Sequence, residues 1–286
     1  MLVHLNKIVL TIFISFISFS AISEEVNTDY LKINWSFKGI FGTFDRTSLQ
    51  RGYQVYQEVC SGCHSVQHLS YRNLSEKGGP EFSVEEAKAI AAQFEVEDGP
   101  NSDGEMFMRP GRLSDTFVKP YPNVEASTAA NGGAYPPDMS VLTKARKGGA
   151  DYIYSLLLGY EEAPTGFELD EGVYYNKYMP GNKIKMIAPL SDGLVEYSDG
   201  TSSTTAQMAK DVTAFLVWAA EPHLESQHRM GFKSIIYLII LFILVYMSKQ
   251  KVWSRFGSKK EPEEETFDKV ERAVTEYEGE DPKTFK

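Results

Sequence analysis

The chain has 286 residues, a formal net charge of −10 and 42% hydrophobic residues, with two cysteines and five histidines. So few thiols leave a zinc ribbon short of its usual four ligands. Residues 24–229 hold 29 acidic and 18 basic side chains, a balance that argues against nucleic acid as a partner and suits a basic protein, although ordinary solubility needs no less. In chain order, residues 1–23 read as a secretory signal peptide: Lys7, the apolar run Ile8–Phe19, then Ala21-Ile22-Ser23 as a small-x-small cleavage site. They contain no arginine, which argues against a transit peptide and for a bacterial periplasm. Asp45 is placed to cap a helix that carries Leu49, Tyr53, Tyr56 and Cys60 on one face. Ser83-Val84-Glu85-Glu86 opens a second helix, expected to run to Phe94. Residues 99–140 are rich in Gly, Pro and Asn and read as ordered irregular chain, packed on some large object. Residues 141–160 read as helical with a break at Gly148-Gly149. Gly159–Pro189 is irregular again, and Leu194–Tyr197 with Asp199-Gly200 reads as a small hairpin. Thr204 and Gln207 open a strong helix bearing Met208, Val212, Phe215, Leu216 and Ala219, which Pro222 ends.

A short polar link, Glu221–Arg229, leads to an apolar run, Ile235–Met247. Its thirteen residues fall short of the roughly 20 that span a bilayer. Met230, Gly231 and Phe232 extend it, Lys233 and Lys249 can snorkel, and Trp253 suits the interface. A buried core helix is the alternative. Lys249, Lys251, Arg255, Lys259 and Lys260 follow, which puts that end in the cytoplasm. The expected organisation is a signal peptide (1–23), a periplasmic domain (24–229), a transmembrane anchor (230–249) and a cytoplasmic tail (250–286). The fold class is mainly α, with long ordered loops, little sheet and one C-terminal transmembrane helix.

The chemistry rests on Cys60-Ser61-Gly62-Cys63-His64. A C-x-x-C-H run attaches c-type haem. Each thiol adds across a haem vinyl group, and the adjacent imidazole binds iron from the proximal side. On a helix the three residues are i, i+3 and i+4 and share a face. A thioredoxin-like pair would need a βαβ context that is not apparent, and a disulfide across two intervening residues is unusual. His68 sits one turn beyond His64 and reads as structural or surface; His223 and His228 read as peripheral. The residues leave Met106, Met108, Met139, Met179 and Met186 open as the sixth iron ligand. Met186 is slightly favoured because it follows a Gly-containing turn and precedes Pro189. Met208 reads as core.

The haem motif, Tyr71-Arg72-Asn73-Leu74, Asp98-Gly99-Pro100 and Gly104-Glu105-Met106-Phe107-Met108-Arg109-Pro110-Gly111 resemble the cytochrome c1 family. So do Lys119-Pro120-Tyr121-Pro122-Asn123, Pro136-Pro137-Asp138-Met139-Ser140, Pro180-Gly181 through Met186 to Ala188-Pro189, Asp199-Gly200-Thr201 and Trp218-Ala219-Ala220-Glu221-Pro222. The likeness runs in order from about Phe37 to Trp253; the acidic tail beyond Lys260 lies outside it. It implies a c-type cytochrome domain with one covalent haem c, and makes Met186 the second axial ligand. It places Arg146 on a haem propionate and Tyr152, Asn131 and Pro136-Pro137 around the haem pocket. It implies a subunit of the quinol–cytochrome c oxidoreductase, the cytochrome bc1 complex, a dimer in the inner membrane. There the Rieske iron–sulfur protein, reduced during quinol oxidation in the cytochrome b subunit, passes an electron to this haem, which reduces cytochrome c. This chain would make no bonds itself. Glu95, Glu97, Asp98, Glu161, Glu162, Glu168 and Asp170 are candidate acids for attracting a basic cytochrome c. Two other readings compete: an anchored c-type cytochrome serving another electron-transfer chain, and a haem sensor or peroxidase-like protein with an exchangeable distal ligand.

Overall fold

The structure, a computed structural model, describes residues 29–254 and 269–272. The signal peptide and most of the tail expected from the sequence lie outside them. The chain divides into two compact units, residues 1–226 and 227–286. The described chain is mostly helix and loop, with two small two-stranded sheets.

The first unit is built around two helices packed against each other, α1 (Arg46–Val55) and α5 (Thr205–Ala220). Asp45 caps α1, its carboxylate accepting from the N–H groups of Thr47 and Ser48. Thr204 caps α5 by accepting from the Gln207 N–H. The two helices pack so closely that a Cβ on Gly52 would lie 2.1 Å from the Asp211 carbonyl oxygen and 2.8 Å from the Phe215 side chain. Leu49, Tyr53 and Val55 meet Met208, Val212 and Phe215 in the core. Each such side chain is worth about 1.5–3 kcal/mol of burial. Tyr53, Tyr56, Tyr71, Phe117 and Phe215 continue the core as a set of ring contacts 4.8–6.1 Å apart. Asp211 is fully buried and accepts from Arg51, Ser48 and Gln207, so its charge is paired, as a buried charge must be.

Between these helices lie α2 (Val84–Ala91), the hairpin of β1 (Glu95–Asp98) and β2 (Phe107–Pro110), α3 (Val124–Ala130), α4 (Ala150–Leu158), and the two-residue strands β3 (Tyr174–Tyr175) and β4 (Lys183–Ile184). Several differ from the sequence reading. Helix α2 has the expected Ser83–Glu86 capping box but ends at Ala91, where the chain turns to form β1. Strand β2 and α3 lie inside the stretch read as irregular, and β1 just before it. Antiparallel pairing sets Glu95 opposite Pro110 and Asp98 opposite Phe107; Arg109 braces it through Asp98 and Asp115. Residues 141–149 form turns, and the helix starts only after Gly148 and Gly149, both at positive φ. A Cβ on Gly148 would lie 2.6 Å from the Tyr30 ring. Leu194–Tyr197 forms no hairpin: Val195 and Tyr197 point inward from a chain of turns.

Helix α6 runs from Leu224 to Trp253, 30 residues, so most of the expected polar link is helical. Glu225 in its first turn receives a forked pair of hydrogen bonds from Arg46, at 2.8 and 2.9 Å, and one from the Phe44 N–H. An acid there also faces the positive end of the helix dipole. The helix has mean hydropathy 2.2 over 18 residues, none buried, and is long and apolar enough to cross a membrane.

Candidate functional site

The site begins where α1 ends. Its last turn widens into a π-turn, Tyr56–Cys60, closed by the Ser61 N–H on the Tyr56 carbonyl at 2.8 Å. Such turns recur at functional sites because they re-aim side chains. Beyond it, the N–H groups of Cys63 and His64 both bond to the Cys60 carbonyl, at 3.1 and 2.9 Å, so the motif stays on one tight turn. Cys60 is half-buried, Cys63 is exposed, and both are free thiols. Burial, with Cys63 nearby, pushes the Cys60 thiol to about 12, so it is protonated at neutral pH.

The His64 ring is held by its Nδ1, 2.8 Å from the Pro137 carbonyl oxygen. A carbonyl can only accept, so Nδ1 carries the proton and Nε2 presents a lone pair. Burial lowers the imidazole pKa against the opposing effects of that bond and of Asp138, which keeps the ring neutral at pH 7. The segment behind the ring is tied down at several points. The Met139 N–H bonds to the Ser65 carbonyl at 2.8 Å. One oxygen of Asp138 accepts from the Ser65 hydroxyl (2.7 Å) and the Gln67 N–H (3.0 Å), and the other from the Ser140 N–H (2.9 Å). The Ser140 hydroxyl accepts from the His68 N–H; the His68 side chain is exposed.

The other predicted positions lie on three segments. Asn131 ends α3 and donates to the Ser127 carbonyl. Met186 is half-buried. Its carbonyl accepts from the Tyr160 hydroxyl at 3.1 Å, and its neighbour Lys185 donates to the Gly132 carbonyl at 3.3 Å. The methionine segment is thus fastened both to the chain following α4 and to the turn that leads into Pro137. Tyr152 is buried on α4; its hydroxyl donates to the Met179 sulfur at 3.6 Å and also lies against Arg146. Arg146 is exposed on the turns before α4 and is not on a helix. Of the remaining methionines weighed above, Met139 is core, while Met106 and Met108 are more than half exposed beside the hairpin. Met208 is buried on α5, as its spacing predicts.

Among the candidate acids, Asp98 is engaged by Arg109, Glu161 by Lys177 and Asp170 by Lys183. Glu95, Glu97, Glu162 and Glu168 are exposed. Sequence reasoning missed the parts played by Asp138, Tyr160 and Lys185. Asp138 had a local signal, an Asp two residues before Ser140 in an Asx-turn pattern. The other two bond across 26 and 53 residues and had none.

A family model described as the Cytochrome C1 family matches residues 35–256. The chain belongs to the cytochrome c1 family. Cytochrome b/c1 of Bradyrhizobium diazoefficiens is 50% identical over 239 residues, covering 77% of this chain but only 35% of that longer protein. A mitochondrial cytochrome c1 heme protein of Solanum tuberosum is 50% identical over 226 residues, 79% of this chain and 86% of its own. A Candida albicans protein named a catalytic subunit of the mitochondrial cytochrome b-c1 complex is 47% identical over 228 residues, 79% of this chain and 78% of its own. Family membership implies haem c, and the donor set fits that group: two free thiols and a neutral imidazole on one turn, with Nε2 left to bind iron. Among the described residues no group of three or more His, Cys, Asp or Glu side chains is placed to hold a metal ion by itself.

Proposed function

We propose that this chain is the haem c subunit of a quinol–cytochrome c oxidoreductase, taking an electron from a Rieske iron–sulfur protein and passing it to cytochrome c. Haem c, when bound, supplies a one-electron Fe(III)/Fe(II) couple. Cys60 and Cys63 would hold it covalently, and His64 and Met186 would ligate its iron. Arg146, Tyr152, Asn131 and Pro137 would border it, with Arg146 neutralising one of its carboxylates. With its iron ligated by these two side chains, no substrate would bind the iron, and the chain would work by electron transfer alone. A cytochrome b subunit is its partner in the membrane; the names of the Bradyrhizobium and Candida relatives support this. The assembly is dimeric. Residues 1–23 are removed on export, the haem domain lies in the periplasm, and residues after the span at 230–249 return to the bacterial cytoplasm, where Lys251, Arg255, Lys259 and Lys260 follow the span.

The observation that carries this reading is the His64 ring, proton on Nδ1 and lone pair on Nε2, one residue after Cys63 in a chain of this family. The test is a redox titration of the purified full chain beside Met186→Leu. The variant is expected to keep its covalent haem and lose most of the positive potential that a thioether confers. An unchanged midpoint potential would remove Met186 from the iron. Carbon monoxide binding to the reduced wild type would instead favour an exchangeable distal position, and so a sensor or peroxidase-like protein.

A further inference from the structure

We infer that Asp138 is a positioning residue: its carboxylate locks the Pro137–Ser140 segment onto Ser65–His68 and so fixes the carbonyl that orients the His64 ring. This rests on the proposed role of His64 as an iron ligand. The geometry carries it. Pro137, whose carbonyl lies 2.8 Å from His64 Nδ1, is a proline with no N–H of its own, so nothing on that residue donates to a neighbour. What holds the carbonyl in place is the next residue. Asp138 Oδ2 accepts from both the Ser65 hydroxyl and the Gln67 N–H, which flank His64 on its C-terminal side, while Oδ1 accepts from the Ser140 N–H. The Met139 N–H to the Ser65 carbonyl closes the clasp. One carboxylate therefore spans both segments, with three donors on a half-buried charge.

The chemical consequence follows from the Nδ1 bond. A firm N–H···O=C contact makes the imidazole a stronger donor through Nε2 and fixes the ring plane. Ferric iron, the more electron-poor state, gains more from a strong donor. Loosening the clasp should raise the midpoint potential and let the ring rotate. Deleting a nearby negative charge would also raise the potential, but would leave the ring plane where it is. The two causes are therefore separated by a readout of ligand orientation.

The experiment compares wild type, Asp138→Asn and Ser65→Ala as full-length chains carrying haem, by electron paramagnetic resonance of the oxidised protein and by redox titration. Asp138→Asn is expected to displace or broaden the largest g value and raise the potential. Ser65→Ala keeps the carboxylate and removes one donor; it should displace the same g value by less, and it carries the test if Asp138→Asn does not mature. A raised potential with an unmoved signal would overturn the positioning role in favour of a charge effect, and identical spectra and potentials would overturn it outright. The wild type tests the parent reading separately: a high-spin ferric signal would remove the His64 and Met186 ligation and leave the clasp as a purely structural contact.

Discussion

Asp151 shows how a single buried carboxylate joins distant parts of this chain. It is 6% exposed, accepts from the Trp35 indole N–H at 2.6 Å and from Lys38 at 3.0 Å, and lies in the first turn of α4. Ser155, one turn on, donates to the Asp151 carbonyl and accepts from the Leu31 N–H. Burial alone would raise its pKa. The bonds from Trp35 and Lys38 win, and the carboxyl sits below its ordinary 3.8. Asp138 behaves alike: burial opposes ionisation, and the donors on Ser140, Ser65 and Gln67 outweigh it. A carboxyl whose pKa is depressed on folding contributes stability that is complete above the unfolded value and is lost as pH falls through the folded one. The urea midpoint of the folded domain is therefore expected to hold between about pH 7 and 5 and to fall below about pH 4. Asp151→Asn should cost about 1.5–3 kcal/mol at pH 7 and flatten that acid limb. An acid limb as steep as the wild type's would show that this carboxylate is not among the groups responsible.

At the scale of elements, α1 leads into the turns that carry the thiols, and α5 is the surface it rests on. Its capping residue and its apolar spacing of four, three and four were plain in the sequence. Gly52 was not, because its need for a small side chain comes from the Asp211 backbone, 159 positions away. Gly52→Ala is expected to push α1 off α5, costing about 1–3 kcal/mol, and to lower the fraction of chain that acquires covalent haem. Wild-type stability and haem content in that variant would mean the helices separate at little cost. The β1–β2 hairpin escaped notice for a related reason. Neither Glu95–Asp98 nor Phe107–Pro110 buries any residue fully, and what braces their pairing is Arg109 with Asp98 and Asp115. Val195 and Tyr197 present the converse case: they alternate inward without a partner strand, because turns and not a ladder set their direction.

For the whole molecule, charge is unevenly spread: residues 24–229 carry an acidic excess, and a run of bases follows the apolar segment. Glu95, Glu97, Glu162 and Glu168 are exposed; if they dock a basic cytochrome c, as proposed, the attraction is long-range and screened by salt, with a Debye length of about 10 Å at 0.1 M. Reduction of a basic cytochrome c by the assembled complex is expected to slow several-fold as ionic strength rises from about 0.01 to 0.3 M. A flat response would separate the acidic surface from docking.

The C-x-x-C-H turn, the caps on α1, α2 and α5, and the long apolar helix were legible in the linear chain because each depends on residues within a few positions of one another. The ordered family strings from Phe37 to Trp253 identified the family for the same reason: they are local patterns of unusual residues. What joins those strings was not legible. The Pro137 carbonyl on His64, the Asp138 clasp, Tyr160 on the Met186 carbonyl, Lys185 on Gly132 and Arg46 on Glu225 span from 26 to 179 residues. Each is a hydrogen bond or ion pair effective only within about 3 Å, so each exists only once packing of the core has brought the distant segments together.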